Sequence, residues 1–393
     1  MAKRFYLYQR ERKDKPPMWY VRFRADDGSI GSPVSTGKSD EQAAESWAVE
    51  RLLVGDAVPK RKPKAKTFEE WAAPWWKLGK CPYLQEKIAN GYSMSPAYAE
   101  VRRSYLDKHL IPEFGKIPLS QLTPTMFRDY KMRLVSKGKL SPATINRILG
   151  TARVMFNYAV EMREMENNPM APVKELKETP EERGILTPEE FRLLFVDPGA
   201  YKRVWHEEPR HYVLNLLAAT TGMRLGECQA LQVQHVHADC VEVRHSWHDK
   251  YGLGPAKQGS GRLVTIPGPT SSALSLLIGL NRWGEPLPED YVFWGQGRDV
   301  PLTKTAILKQ YKVALDRIGI TEAQRAQRVL LFHSHRHYFN TFVRGKVPDE
   351  QLRRVTGHKS VTMSDNYDHA AVEHLADVKA VQEKMFAAER SAQ

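Results

Sequence analysis

In FHSHRHYFNTF, Phe332 to Phe342, three imidazoles alternate with a serine and a guanidinium. As a strand, this stretch would project His333, His335 and His337 to one side, a geometry that suits zinc or copper. As a helix, it would place His333 and Arg336 on one face, where they could grip a single phosphate, and turn His335 elsewhere. Tyr338, Phe339 and Phe342 recur at helical spacing and Gly345 supplies a stop, so the pattern predicts a helix, with His335 and His337 as packing or supporting residues. Three other patches carry reactive or charged residue types: TTGMRLGE (220–227), AKQGSGRLVTIP (256–267) and TGHKSVTMSDNYDH (356–369). Taken singly, each reads as an ordinary turn or surface segment.

Their order along the chain is more informative. An arginine in a TGxRxxE setting, a lysine five residues before an arginine, HxxR, a Gly-His pair and a tyrosine nine residues after that histidine together resemble the active-site set of the tyrosine recombinase (phage integrase) family. The resemblance places Arg224, Lys257, His333, Arg336 and His358 on phosphate-activating positions and Tyr367 on the nucleophile. Two arginines suit the charge that builds on a phosphodiester under attack, because they are forked, permanently charged donors. A tyrosine hydroxyl, with a reference pKa of about 10, needs neighbouring positive charge and a proton acceptor to react at neutral pH. His333 is the candidate base, and His358 the candidate partner of a non-bridging oxygen. Lys257 resembles the general acid that protonates the leaving 5′ oxygen; Lys250 lacks a following basic residue at the family's distance. Glu227 is expected to orient Arg224 or cap its neighbourhood. Ser334 and His335 depart from the family pattern, where an acid and a leucine are frequent.

The resemblance implies a site-specific integrase that forms a 3′-phosphotyrosine intermediate and uses no cofactor, ATP or metal. It also implies double-stranded attachment-site DNA as substrate, a homotetramer on that DNA, and a DNA-bending accessory protein and an excisionase as candidate partners. A tyrosine-dependent relaxing topoisomerase and a non-catalytic DNA-binding regulator are the alternatives.

The chain that must position these residues has 393 residues, 59 Lys and Arg against 46 Asp and Glu, and a net charge of +13, which favours a polyanionic partner. Cys81, Cys228 and Cys240 form no CxxC pair, and no signal peptide or run of about 18 apolar residues is present, so a cytoplasmic, non-membrane protein is expected.

The expected fold is multidomain α+β. Residues 1–58 alternate aromatic and basic residues with a break at Asp27-Gly28 and then enter a helix, the pattern of a small β-sheet plus helix; Arg22 and Arg24 are its candidate phosphate contacts in an arm-type DNA-binding domain. Residues 59–66 form a basic linker with Lys62 and Lys64. Residues 67–178 should make a helical core-binding bundle with caps at Thr67, Ser95, Thr123 and Ser141 and a basic face of Arg102, Arg103, Lys139, Arg147 and Arg153. Residues 179–393 open at Thr187-Pro188 and should form a mostly helical catalytic domain with a small antiparallel sheet around the loop YGLGPAKQGS. After Tyr367, a stripe of Val372, Leu375, Val378, Val381 and Met385 is open to packing against a neighbouring subunit or within the same chain.

Overall fold

The structure, a computed structural model, describes residues 4–12, 15–24, 28, 30–54, 66–179, 184–256, 261–357 and 375–387. The chain divides into two compact units, Met1–Glu178 and Thr179–Gln393. Among the described residues, no helix is long and apolar enough to cross a membrane.

The first unit begins with an antiparallel sheet of β1 (Phe5–Arg12), β2 (Lys15–Phe23) and β3 (Val34–Ser35), ordered β1-β2-β3, with α1 (Glu41–Leu53) packed against it. Period-two alternation decides the two faces. Val21 and Phe23 are buried with Ala48 of α1, and Phe5, Leu7 and Trp47 pack around them. On the alternate positions Tyr8 stacks on Tyr20, the Arg10 guanidinium lies over the Tyr20 ring, and Arg22 and Arg24 are exposed. Ala44 and Ala48 form the buried face of α1, and Val49 is 42% exposed.

The helices that follow are α2 (Phe68–Ala72), α3 (Pro82–Ala89), α4 (Pro96–Tyr105), α5 (Ile111–Phe114), α6 (Pro124–Ser136) and α7 (Pro142–Glu161). Their starts follow the expected caps: Thr67 and Glu70 close a reciprocal box, and Ser95, Thr123 and Ser141 each accept from a backbone N–H three residues on. Trp71, Trp75, Trp76, Phe68, Phe114, Phe127 and Phe156 fill the core between them.

Sequence did not foretell the π turn Leu106–Leu110 that joins α4 to α5. Pro112 has no N–H to return to the carbonyl four residues earlier, so an uninterrupted α-helix could not pass through it. The Tyr130 hydroxyl donates to the His109 carbonyl inside that turn at 2.8 Å.

Three arginines expected on a DNA-facing surface are engaged within the bundle. Arg103 Nη1 donates to the carbonyls of Ala72, Ala73 and Trp75, where a cation suits the C-terminal end of α2, and Arg103 also pairs with Asp107. Arg102 donates to the Arg147 carbonyl and to Thr151 Oγ1 and lies over the Trp76 and Tyr98 rings. Arg153 pairs with Glu175 and donates to the Val173 carbonyl. Lys139 and Arg147 are exposed.

The second unit is mostly helical: α8 (Pro188–Phe195), α9 (Ala200–Arg203), α10 (Pro209–Thr221) and α11 (Leu225–Gln229) precede the strands, and α12 (Gly268–Gly279), α13 (Lys304–Arg317), α14 (Glu322–Gln327), α15 (Ser334–Val343), α16 (Asp349–Thr356) and α17 (Ala376–Ala387) follow them. The strands form two antiparallel pairs. β4 (Cys240–Val243) pairs with β7 (Arg262–Thr265), and β5 (His245–His248) pairs with β6 (Gly252–Pro255). The expected loop YGLGPAKQGS is therefore partly strand: four ladder partners from β5 override the poor β-propensity of its glycines.

The C-terminal helix packs within its own chain. Leu375, Val378, Val381 and Met385 are buried in the core of this unit, and the fully buried Gln382 bridges elements, donating to the Thr220 and Thr265 carbonyls and accepting from Thr265 Oγ1. Val372 lies outside the described residues.

Candidate active site

The site is assembled where α10 ends. Gly222 caps that helix with φ +68°, a conformation that favours glycine, and a Cβ there would meet Phe339 Cδ1 at 2.6 Å. Two residues later Arg224 is the N-cap of α11. The Glu227 carboxylate accepts from the Arg224 backbone N–H at 3.0 Å and from Arg224 Nη1 at 2.8 Å, so one side chain both caps the helix and aims the guanidinium. Gly226 permits close packing beneath, since a Cβ there would sit 2.6 Å from Ser246 Oγ on β5.

Arg262, at the start of β7, reaches the same carboxylate with two N–H groups at 2.7 and 3.2 Å. Its Nε donates to the Val355 carbonyl near the end of α16, at 2.7 Å. Arg336, on the first turn of α15 and 2% exposed, donates to the carbonyls of Gly222 and Thr356. Three guanidinium groups from α11, β7 and α15 thus converge around one buried carboxylate.

The electrostatics follow from that arrangement. Burial would raise the Glu227 carboxyl, but the bonds and charge of Arg262, followed by those of Arg224, hold it down at about 2. Burial pushes Arg336 down to about 10, and the positive charges of Arg224 and Arg262 act in the same direction, opposed by Glu227. Like charges held this close in a desolvated place suit an anion that arrives later.

His333 is the N-cap of α15 and is half-buried, its ring 4.9 Å from that of His337 and nearly perpendicular to it. Because 334–343 is helical, the three histidines do not line one side as a strand would set them. His335 is fully buried against Tyr311 and Phe332, with Nε2 3.1 Å from Asn215 Oδ1. Burial lowers its pKa to about 3. Lys257, His358 and Tyr367, like Lys62 and Lys64, lie outside the described residues. Arg262 was missed as a site residue; the only sequence signal was its distance from Lys257, since a strand-end arginine ordinarily reads as solvated.

His335 makes a testable contribution to acid stability. Its folded pKa lies below the reference of about 6.5, so the unfolded chain binds a proton that the folded chain refuses as pH falls from about 6.5 towards 3. That group's contribution is full above pH 6.5 and declines by up to about 1.4 kcal/mol per pH unit below it. His335→Gln keeps a donor for Asn215 but removes the proton uptake. Urea unfolding between pH 4 and 7 should show a shallower acid-side decline in the variant; equal slopes would refute this account.

Arg224, Arg262 and Arg336 thus bring more positive charge to one place than the single Glu227 carboxylate balances. A family model described as the phage integrase family matches residues 201–374, and one described as the phage integrase central domain matches residues 68–176. Together they take in most of the chain, which belongs to the phage integrase family of tyrosine recombinases and is a site-specific DNA recombinase. The ICEBs1 integrase of Bacillus subtilis strain 168 is 25% identical over 302 residues, 70% of this chain and 74% of that one.

Two solved structures share the fold. One, the Tn1549 transposon integrase in complex with transposon right-end DNA, is 19% identical with a TM-score of 0.57 over 79% of this chain and 98% of its own. The other, a lambda integrase tetramer bound to a Holliday junction, is 15% identical with a TM-score of 0.54 over 94% and 99%.

Proposed function

We propose that this recombinase integrates or excises a mobile element, cutting and rejoining each strand through Tyr367. The observation that carries the reading is the convergence of Arg224 and Arg336. Arg336 is tied to the Gly222 carbonyl, 114 residues away in sequence and two residues before Arg224. In the proposed step the Tyr367 oxygen attacks the scissile phosphorus while His333 accepts its proton. Arg224, Arg336 and His358 hold the non-bridging oxygens. The P–O5′ bond breaks, Lys257 protonates the departing 5′ oxygen, and the 3′ phosphate remains esterified to the tyrosine. Because one phosphodiester replaces another, a 5′ hydroxyl from a partner duplex can reverse the step without an external energy source.

In this reading, residues 1–58 form an arm-type DNA-binding domain, 59–66 a basic linker, 67–178 the core-binding domain and 179–393 the catalytic domain. Arg22, Arg24, Lys62, Lys64, Lys139 and Arg147 contact phosphates, while Arg102, Arg103 and Arg153 chiefly hold the bundle together. The exposed arginines beside stacked tyrosines on the sheet support the arm-site role. Four copies assemble on the crossover, with a DNA-bending protein and an excisionase as partners, in the cytoplasm on the nucleoid. The tetrameric state of lambda integrase, which shares the fold, supports the stoichiometry.

A supercoiled plasmid carrying two candidate attachment sites from the flanks of the gene provides the test. Recombinant junctions are expected. Relaxed circles without junctions would replace this reading with that of a topoisomerase, and unaltered plasmid alongside tight binding would leave only a DNA-binding regulator.

A further inference from the structure

Glu227 is 2% exposed and shared by two arginines, yet only Arg224 belongs to the expected reacting set. We infer that Arg262 is a positioning residue for strand cleavage, holding Glu227 so that Arg224 is presented to the scissile phosphate and fastening β7 to the turn that ends α16. The inference rests on the recombinase reading above.

The geometry gives Arg262 two tasks. Its Nη1 and Nη2 engage both oxygens of Glu227, at 3.2 and 2.7 Å, while its Nε donates to the Val355 carbonyl at 2.7 Å. Only a planar fork with a third N–H can do both at once. The side chain is 10% exposed, and its Cζ lies 3.4 Å from where a Cβ on Gly357 would be. Gly357 has φ +64°, so a glycine suits this turn both for its backbone and for its contact with Arg262. Val355 and Thr356 therefore carry one arginine each, Arg262 on the first carbonyl and Arg336 on the second. Residues 355–357 lead directly to His358, and Arg262 closes the segment that begins at Lys257. One side chain thereby joins Glu227, and through it Arg224, to the end of α16.

The charge balance sharpens the consequence. Without Arg262, a buried carboxylate loses the partner that binds it in a fork and keeps its bonds to Arg224. Arg224 would then be drawn towards Glu227 instead of facing a phosphate. A misplacement of about 1 Å at such a group lowers rates on the order of 100-fold.

The test is single-turnover cleavage of a suicide duplex by the full-length chain, scored as covalent adduct, with thermal unfolding in parallel. Arg262→Met should cut the cleavage rate on the order of 100-fold with DNA affinity little changed. Adding Glu227→Gln to that variant should recover roughly tenfold, because a neutral amide no longer captures Arg224. A purely structural role would also predict that the second substitution restores stability, so cleavage is compared at a temperature where thermal unfolding shows every variant folded, and there a structural role predicts equal rates. If Arg262→Met does not fold, Arg262→Lys carries the test, since it keeps the charge without the fork and should cleave roughly tenfold or more slowly than wild type.

A wild-type rate from Arg262→Met or Arg262→Lys, or a double variant no faster than the single one, overturns the inference while leaving the recombinase reading intact. A wild-type chain that forms no adduct on duplexes it binds overturns both.

Discussion

Tyr367→Phe should bind attachment-site DNA as tightly as wild type and form no covalent adduct. The substitution removes one oxygen and keeps the ring, so phosphate contacts made by the arginines are unaffected. Removing a nucleophile from a concerted site lowers turnover on the order of 10⁴-fold or more, which in a suicide-substrate assay reads as absence of the slow-migrating protein-DNA band. Tyr338 offers the control, because it lies only two residues after Arg336 and a sequence reading could mistake it for the reacting group. The structure places it 4% exposed, stacked on Phe191 at 5.2 Å, with burial pushing its hydroxyl pKa well above the ordinary value. A phenol so placed is both inaccessible and hard to ionise. Tyr338→Phe should therefore retain the adduct. An adduct from Tyr367→Phe, or its loss from Tyr338→Phe in a folded protein, would move the nucleophile elsewhere.

How far sequence reached depended on whether a feature is local. The helix over 334–343 was legible because His333, Arg336 and the aromatic residues after them repeat at its period, and Thr67 and Thr187 announced helix starts through boxes complete within four residues. The strand Gly252–Pro255 was not legible, because glycine and proline carry no β-preference and its order comes from pairing with His245–His248. The bonds that Arg102, Arg103 and Arg153 make within the bundle were not legible for a related reason. Spacing tells which way a stem leaves a helix, but a long guanidinium can turn back to carbonyls from other elements, and these three do. Arg262 shows the reverse case. An alternating strand pattern cannot tell an arginine facing solvent from one facing a buried acid contributed 35 residues earlier.

Arg336→Lys tests whether the arginine pocket is chemical or merely structural. Arg336 is buried with two N–H groups on the Gly222 and Thr356 carbonyls, which fix the plane of its guanidinium where α10 and α16 end. A lysine keeps the charge but offers a point donor that cannot span both carbonyls and a phosphate oxygen. Loss of one aligned donor to a developing oxyanion lowers the chemical step by about 10²–10³-fold, while binding, spread over many phosphate contacts, should weaken far less.

The variant should also acquire a loss of rate at high pH beyond any that wild type shows. The same surroundings bring Arg336 only down to about 10, so it stays charged through the neutral range. Burial and the neighbouring guanidinium charges act on a lysine in the same downward direction from a lower reference of about 10.4. Cleavage by Arg336→Lys should therefore fall relative to wild type as pH rises. Replacing the scissile phosphate by an uncharged methylphosphonate should narrow the gap between variant and wild type, because less anionic charge then needs stabilising. A variant rate within tenfold of wild type, an unchanged pH profile and no narrowing on the neutral substrate would together assign Arg336 to holding the fold and leave the phosphate to other cations.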